Sequence, residues 1–121
     1  MWEELFRYYP LTRELTQQGY RYLYIEHSKN PKEAIFIKEI IVTTTLGKKK
    51  RKQIKKKRKF DSLFWNLVRH IAMTQLCKGI KEAKKSLDEA IKFYLGFKTK
   101  EDYINYLKTE EHYPENELKK L

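Results

Sequence analysis

Lys48–Lys59 reads KKKRKQIKKKRK, in which ten of twelve residues are Lys or Arg and none is acidic. Lys48, Lys49, Lys50, Arg51, Lys52, Lys55, Lys56, Lys57, Arg58 and Lys59 are therefore the candidate site, and the chemistry open to them is the binding of a polyanion. The run holds eight Lys and two Arg. Lys acts as a mobile point charge, whereas Arg offers a planar fork, so such a run suits phosphates better than base edges. Arg51 and Arg58 are the two positions fitted to a minor groove. Taking these ten cations from the chain's 27 leaves 17 basic residues against 16 acidic ones. Nearly all of the net charge of +11 thus sits in one segment.

Other chemistry has weaker support. Glu26, Glu33 and Glu39 lie on or near two strand-like stretches, and several carboxylates around Mg²⁺ would make a nuclease. Salt partners such as Lys32 and Lys38 account for them equally well. A zinc site needs several Cys or His ligands at set spacings, and Cys77, His27, His70 and His112 form no such motif. Cys77 is expected as a small core residue on an apolar helix. The four glycines are isolated from one another, so no phosphate-cradling loop is present. No catalytic residue, cofactor or metal is expected.

The leading expectation is a non-enzymatic nucleic-acid-binding protein that grips the phosphate backbone of DNA or RNA with little regard to sequence. The alternative is an interaction module, an inhibitor or assembly subunit, that captures an acidic protein surface. Either suits an accessory protein of a virus or mobile element. A metal-dependent nuclease is the third reading, and a solvated charged loop is the plainest. KKKRK resembles a basic nuclear-import signal, which implies a nuclear location in a cell that has a nucleus; otherwise the single cysteine fits the cytoplasm. No apolar run reaches the roughly 18 residues of a membrane-spanning helix. The opening MWEELFRYYP carries acids where a secretory leader has basic residues, so a soluble, unprocessed protein is expected.

The 121 residues, 40% hydrophobic, suit one domain with its own core. Trp2, Leu5, Phe6 and Tyr9 recur at helical spacing, and Thr12–Gln18 makes a second short helix ending at Gly19. Tyr20–His27 alternates with period two and reads as a strand; its tyrosines Tyr20, Tyr22 and Tyr24, where exposed, would suit base stacking. A loop at 28–31 leads to Ala34–Thr45, a β-branched stretch placed to pair antiparallel with the first strand. Residues 46–60 are expected as a basic arm or hairpin. The favoured form is an extended projection that orders on binding; the alternative is a third strand. KKKRK occurs twice, seven residues apart, which returns to one face in a helix and to opposite faces in a strand.

Asp61 or Ser62 caps a helical segment running to Leu95, with Gly79 as its break or weak point. Thr99 and Asp102 open the last helix, Lys100–Glu111, and Pro114 closes it. The expected fold class is α+β: a small antiparallel sheet of two or three strands on three to four helices, in one domain spanning 1–121. Core candidates are Leu23, Ile25, Ile35, Ile37, Ile40, Val42, Phe64, Leu67, Val68, Ile71, Leu87, Ile91 and Leu107. Met73 and Leu76 widen the buried stripe, and Lys84–Asp88 and Asp88–Lys92 form i,i+4 pairs.

Overall fold

The computed structural model describes residues 2–28 and 31–121, so Lys29 and Asn30 of the expected loop lie outside the described residues. The elements run α1 (Trp2–Tyr8), α2 (Arg13–Gln17), β1 (Arg21–Glu26), β2 (Glu33–Thr43), β3 (Lys49–Lys59), α3 (Ser62–Lys78), α4 (Ile80–Leu95), α5 (Lys100–Thr109) and α6 (Glu115–Leu118). The strands form one antiparallel sheet in the order β1-β2-β3. The protein is an α+β single domain, as its patterning implied.

Alternation sorts the side chains of β2. Ala34 and Phe36 face the helices and join the core, together with Tyr22 and Ile25 of β1. Ile35 is also buried but lies on the opposite face, where its cross-strand neighbours are Tyr24 and Lys57. The pairing of β1 slips between Tyr22 and Tyr24, and Leu23 has no partner in the register. That irregularity turns Leu23 outward, 47% exposed, against its expected place in the core. Val42 is a second correction: it lies beyond the end of β1, where no third strand or helix covers it.

The core is aromatic. The Tyr9 and Phe64 rings stack with centroids 3.8 Å apart, and Phe6 meets Phe36 and Phe64 at 5.5 Å. Offset and edge contacts of this kind add to simple burial. Asp61, 2% exposed, is the polar centre of this layer. As the N-cap of α3 it accepts from the Phe64 N–H at 2.9 Å, and it also accepts from the Tyr9 and Tyr103 hydroxyls. One carboxylate thereby joins α3 and α5 to Tyr9, the residue that follows α1.

Gly79 breaks the long helical segment into α3 and α4, which pack against each other. Its φ of 91° and ψ of 174° belong to a region that essentially only glycine occupies. Replacing Gly79 by Ala should cost about 1–3 kcal/mol through backbone strain alone, since a Cβ there meets nothing within 4 Å. Urea denaturation checks this, and an unchanged midpoint would contradict it. The last turns of α3 are exposed, contrary to expectation: Cys77 is at the surface, and Leu76 is 81% exposed. The apolar stripe outruns the sheet and helices that could cover it. On α4, Lys85 pairs with Glu82 at 3.2 Å, and the expected Lys84–Asp88 and Asp88–Lys92 pairs do not form. Thr99 caps α5 by accepting from Asp102 N–H at 3.1 Å, whereas Pro114 opens α6 instead of closing α5.

Candidate nucleic-acid interface

The basic run is a strand. Every residue from Lys49 to Lys59 has a partner on β2, from Thr43 opposite Lys49 to Glu33 opposite Lys59. The expected free arm is therefore an ordered part of the sheet, because β2, rich in β-branched residues, supplies a template that pairs with it along its whole length. Repulsion within the run is bearable in this form. Neighbouring cations on one face stand about 6.7 Å apart, where two charges in water repel by only about 0.6 kcal/mol.

The duplicated KKKRK now has a geometric consequence. Lys50, Lys52, Lys56 and Arg58 point to the helix side of the sheet, and Lys49, Arg51, Lys55, Lys57 and Lys59 point to the open side. The first copy thus repeats on the opposite face as the second. Among the described residues none of these cations has a carboxylate within 4.0 Å. Lys56 is partly occupied, its Nζ lying 5.1 Å from the centre of the buried Tyr20 ring.

β1 pairs only with residues 33–37 of β2, so the pairs from Lys38–Ile54 to Thr43–Lys49 run on alone. The first of these pairs still touches the body, Ile54 packing on the core and Lys38 donating to Gln18 O, and the last five make a two-stranded ribbon projecting about 17 Å. At its tip Gly47 takes φ 75° and its N–H donates to Thr44 O at 2.9 Å, closing a tight turn that leaves Leu46 85% exposed. Lys48 is on this turn and exposed.

β3 is also an edge strand. Thr44 N–H donates to Lys48 O at 2.8 Å and Phe60 N–H to Lys32 O at 3.0 Å, so even-numbered residues bond inward to β2. The backbone groups of Lys49, Arg51, Gln53, Lys55, Lys57 and Lys59 then face outward. Arg58 Nη1 already covers one of them, donating to Lys57 O at 3.0 Å. The edge presents N–H donors and C=O acceptors in equal number, flanked on both sides by cations, and is about 36 Å long, close to one turn of duplex at about 34–36 Å.

At its lower end this edge runs into a cavity of about 610 Å³. Lys57, Arg58 and Lys59 form one wall; Arg13 of α2, Lys98 between α4 and α5, Lys100 of α5 and Lys120 beyond α6 complete it. Arg13 is anchored there, its Nη2 donating to Phe97 O at 2.6 Å. Sequence reading missed Arg13, Lys98, Lys100 and Lys120, because they are single cations among ordinary residues and only the fold gathers them.

No family model, curated protein or solved structure matches the chain. The function is therefore read from the geometry of the basic edge and its cavity.

The other sequence candidates are scattered. Glu26 and Glu33 stand opposite each other on β1 and β2, but Glu39 is six residues further along β2, about 20 Å away. Among the described residues no group of three or more His, Cys, Asp or Glu is arranged to hold a metal ion. Lys32 and Lys38, read as partners for these acids, donate instead to the backbone carbonyls of His27 and Gln18. Of the three strand tyrosines proposed for stacking, Tyr20 is buried, Tyr22 is half-buried against Phe6, and Tyr24 alone is exposed. Among the described residues no helix is long and apolar enough to cross a membrane.

Proposed function

We propose that the protein binds nucleic acid without enzymatic action, its β3 edge lying along the phosphate backbone. The observation that carries this reading is the arrangement of the run: nine cations on one edge strand, on both faces, without acidic partners among the described residues. A lysine on an edge strand also discourages pairing with other sheets. That role calls for few charges and no particular length. The projecting ribbon fits the groove dimensions of B-form DNA, which admit two strands. Lysines dominate the contact, so the binding energy comes mainly from counterion release and varies little with base sequence.

The test is fluorescence anisotropy with duplex DNA, single-stranded DNA and RNA, each in several unrelated sequences. Expected is binding near the non-specific range of about 10⁻⁴–10⁻⁶ M at physiological salt, similar across sequences of one type. Failure to bind all three at that salt would overturn the reading. One observation favours a second reading, capture of an acidic protein: Met73, Leu76 and Ile80 leave an apolar surface where α3 meets α4. Recovery of a defined partner that survives nuclease treatment and depends on those three residues would support it.

A further inference from the structure

We infer that the cavity at the foot of β3 is a binding site for a phosphate monoester or polyphosphate group. Its volume of about 610 Å³ lies within the range of small-ligand sites, about 300–1,000 Å³. Seven cationic residues line it, against two acidic ones, Glu14 and Glu101, and of the three on β3 it is Arg58 whose side chain turns to the helix side. Among the described residues, Lys120 is the one member of the seven with a carboxylate within 4.0 Å, Glu117 at 3.5 Å. Unpaired like charges drawn together from α2, β3, α5 and two connecting segments repel one another, and an anion in their midst reverses the sign of that energy.

Arg13 shows that part of the site is held in place before any ligand arrives. Burial lowers its guanidinium from the ordinary value, Phe97 O fixes Nη2, and Nε is buried with no acceptor. A planar guanidinium held in this way is well matched to a phosphoryl group. Pro10, Leu11 and Leu121 form the apolar part of its lining.

The class of phosphate follows from shape and charge. A backbone diester carries one negative charge, whereas a terminal phosphate carries about −1.5 to −2 at neutral pH. A concave site rich in cations gains most from the second. Lys57, Arg58 and Lys59 belong to both the cavity and the basic edge, so a strand lying along β3 would bring its end to the cavity. This last step rests on the nucleic-acid reading; the phosphate site itself does not. The same chemistry could come from a free polyphosphate.

The experiment has two arms. Calorimetry measures inorganic tripolyphosphate binding to the full chain. Anisotropy compares oligonucleotides that differ only in a 5′-hydroxyl, 5′-phosphate or 5′-triphosphate. The variant is Lys98→Glu with Lys100→Glu, two exposed positions away from the core. Expected is tripolyphosphate binding, with a preference of about tenfold for phosphorylated ends, both lost in the variant. Tripolyphosphate binding that the variant abolishes, without any end preference, would support the site and assign it to a free polyphosphate. No tripolyphosphate binding and no end preference would overturn the proposal, even if the oligonucleotides bind through β3. Equal behaviour of wild type and variant would overturn it too.

Discussion

Replacing Asp61 by Ala is expected to cost about 3–5 kcal/mol of stability. Two effects add. The N-cap of α3 disappears, and the Tyr9 and Tyr103 hydroxyls are left buried with no acceptor. Adding Tyr9→Phe and Tyr103→Phe to Asp61→Ala should recover part of the loss, because the orphaned hydroxyls are then removed as well. Guanidinium denaturation of wild type, Asp61→Ala, the Tyr9→Phe/Tyr103→Phe pair and the triple variant checks both statements. Additive losses in the triple variant would show that Asp61 does not hold the tyrosines.

The same residue sets a pH dependence. Burial raises the Asp61 carboxyl above its ordinary value, by more than the donors from Tyr9, Phe64, Tyr103 and its own backbone N–H lower it. The folded chain then holds that proton to higher pH than the unfolded chain does. Asp61's contribution is most favourable below the ordinary carboxylate value and declines as pH rises through the interval up to the raised one. Asp61→Asn keeps a capping oxygen and does not titrate. The stability of wild type relative to Asp61→Asn should therefore fall with rising pH across that interval. A difference that is flat, or rises, would contradict the assignment.

Changing Lys49, Lys50, Arg51 and Lys52 together to Gln is expected to weaken nucleic-acid binding by about two orders of magnitude at low salt. All four are exposed, lie on the projecting ribbon and have no acidic partner among the described residues. For every phosphate no longer neutralised, the salt slope should become shallower by about one unit, and the weakening should be uniform across sequences. Folding stability should hold or rise, since the substitutions remove only repulsion at the surface. A variant that unfolds would show that these side chains support the sheet, and one that binds as wild type would move the grip off the ribbon.

Much of this fold was legible because local signals agreed with one another. The β-branched stretch from Ala34 is a strand, Asp61 is a cap, Thr99 is a cap, and Gly19 and Gly79 end helices. The basic run was harder. Local repulsion argues for a mobile arm, and only pairing with β2, a property of the whole sheet, makes Lys49–Lys59 a strand. The core was misjudged in part: Leu23 and Val42 are exposed, while Tyr94 is fully buried. A tyrosine looks amphipathic in sequence, and Asp61, whose long-range bonds let Tyr9 and Tyr103 go inside, lies 52 and 42 residues from them. The cavity was invisible for the same reason, since its cations come from positions 13, 57–59, 98, 100 and 120.

The most direct test of the phosphate grip is the salt dependence of binding to a labelled duplex. Wild type should be compared with a chain neutralised at Lys48–Lys52 and Lys55–Lys59. Six to eight phosphates engaged along β3 predict a slope of log K against log salt of roughly −5 to −7, close to zero in the neutralised chain. A wild-type slope shallower than about −2, or the same slope in both proteins, would contradict a phosphate grip on β3.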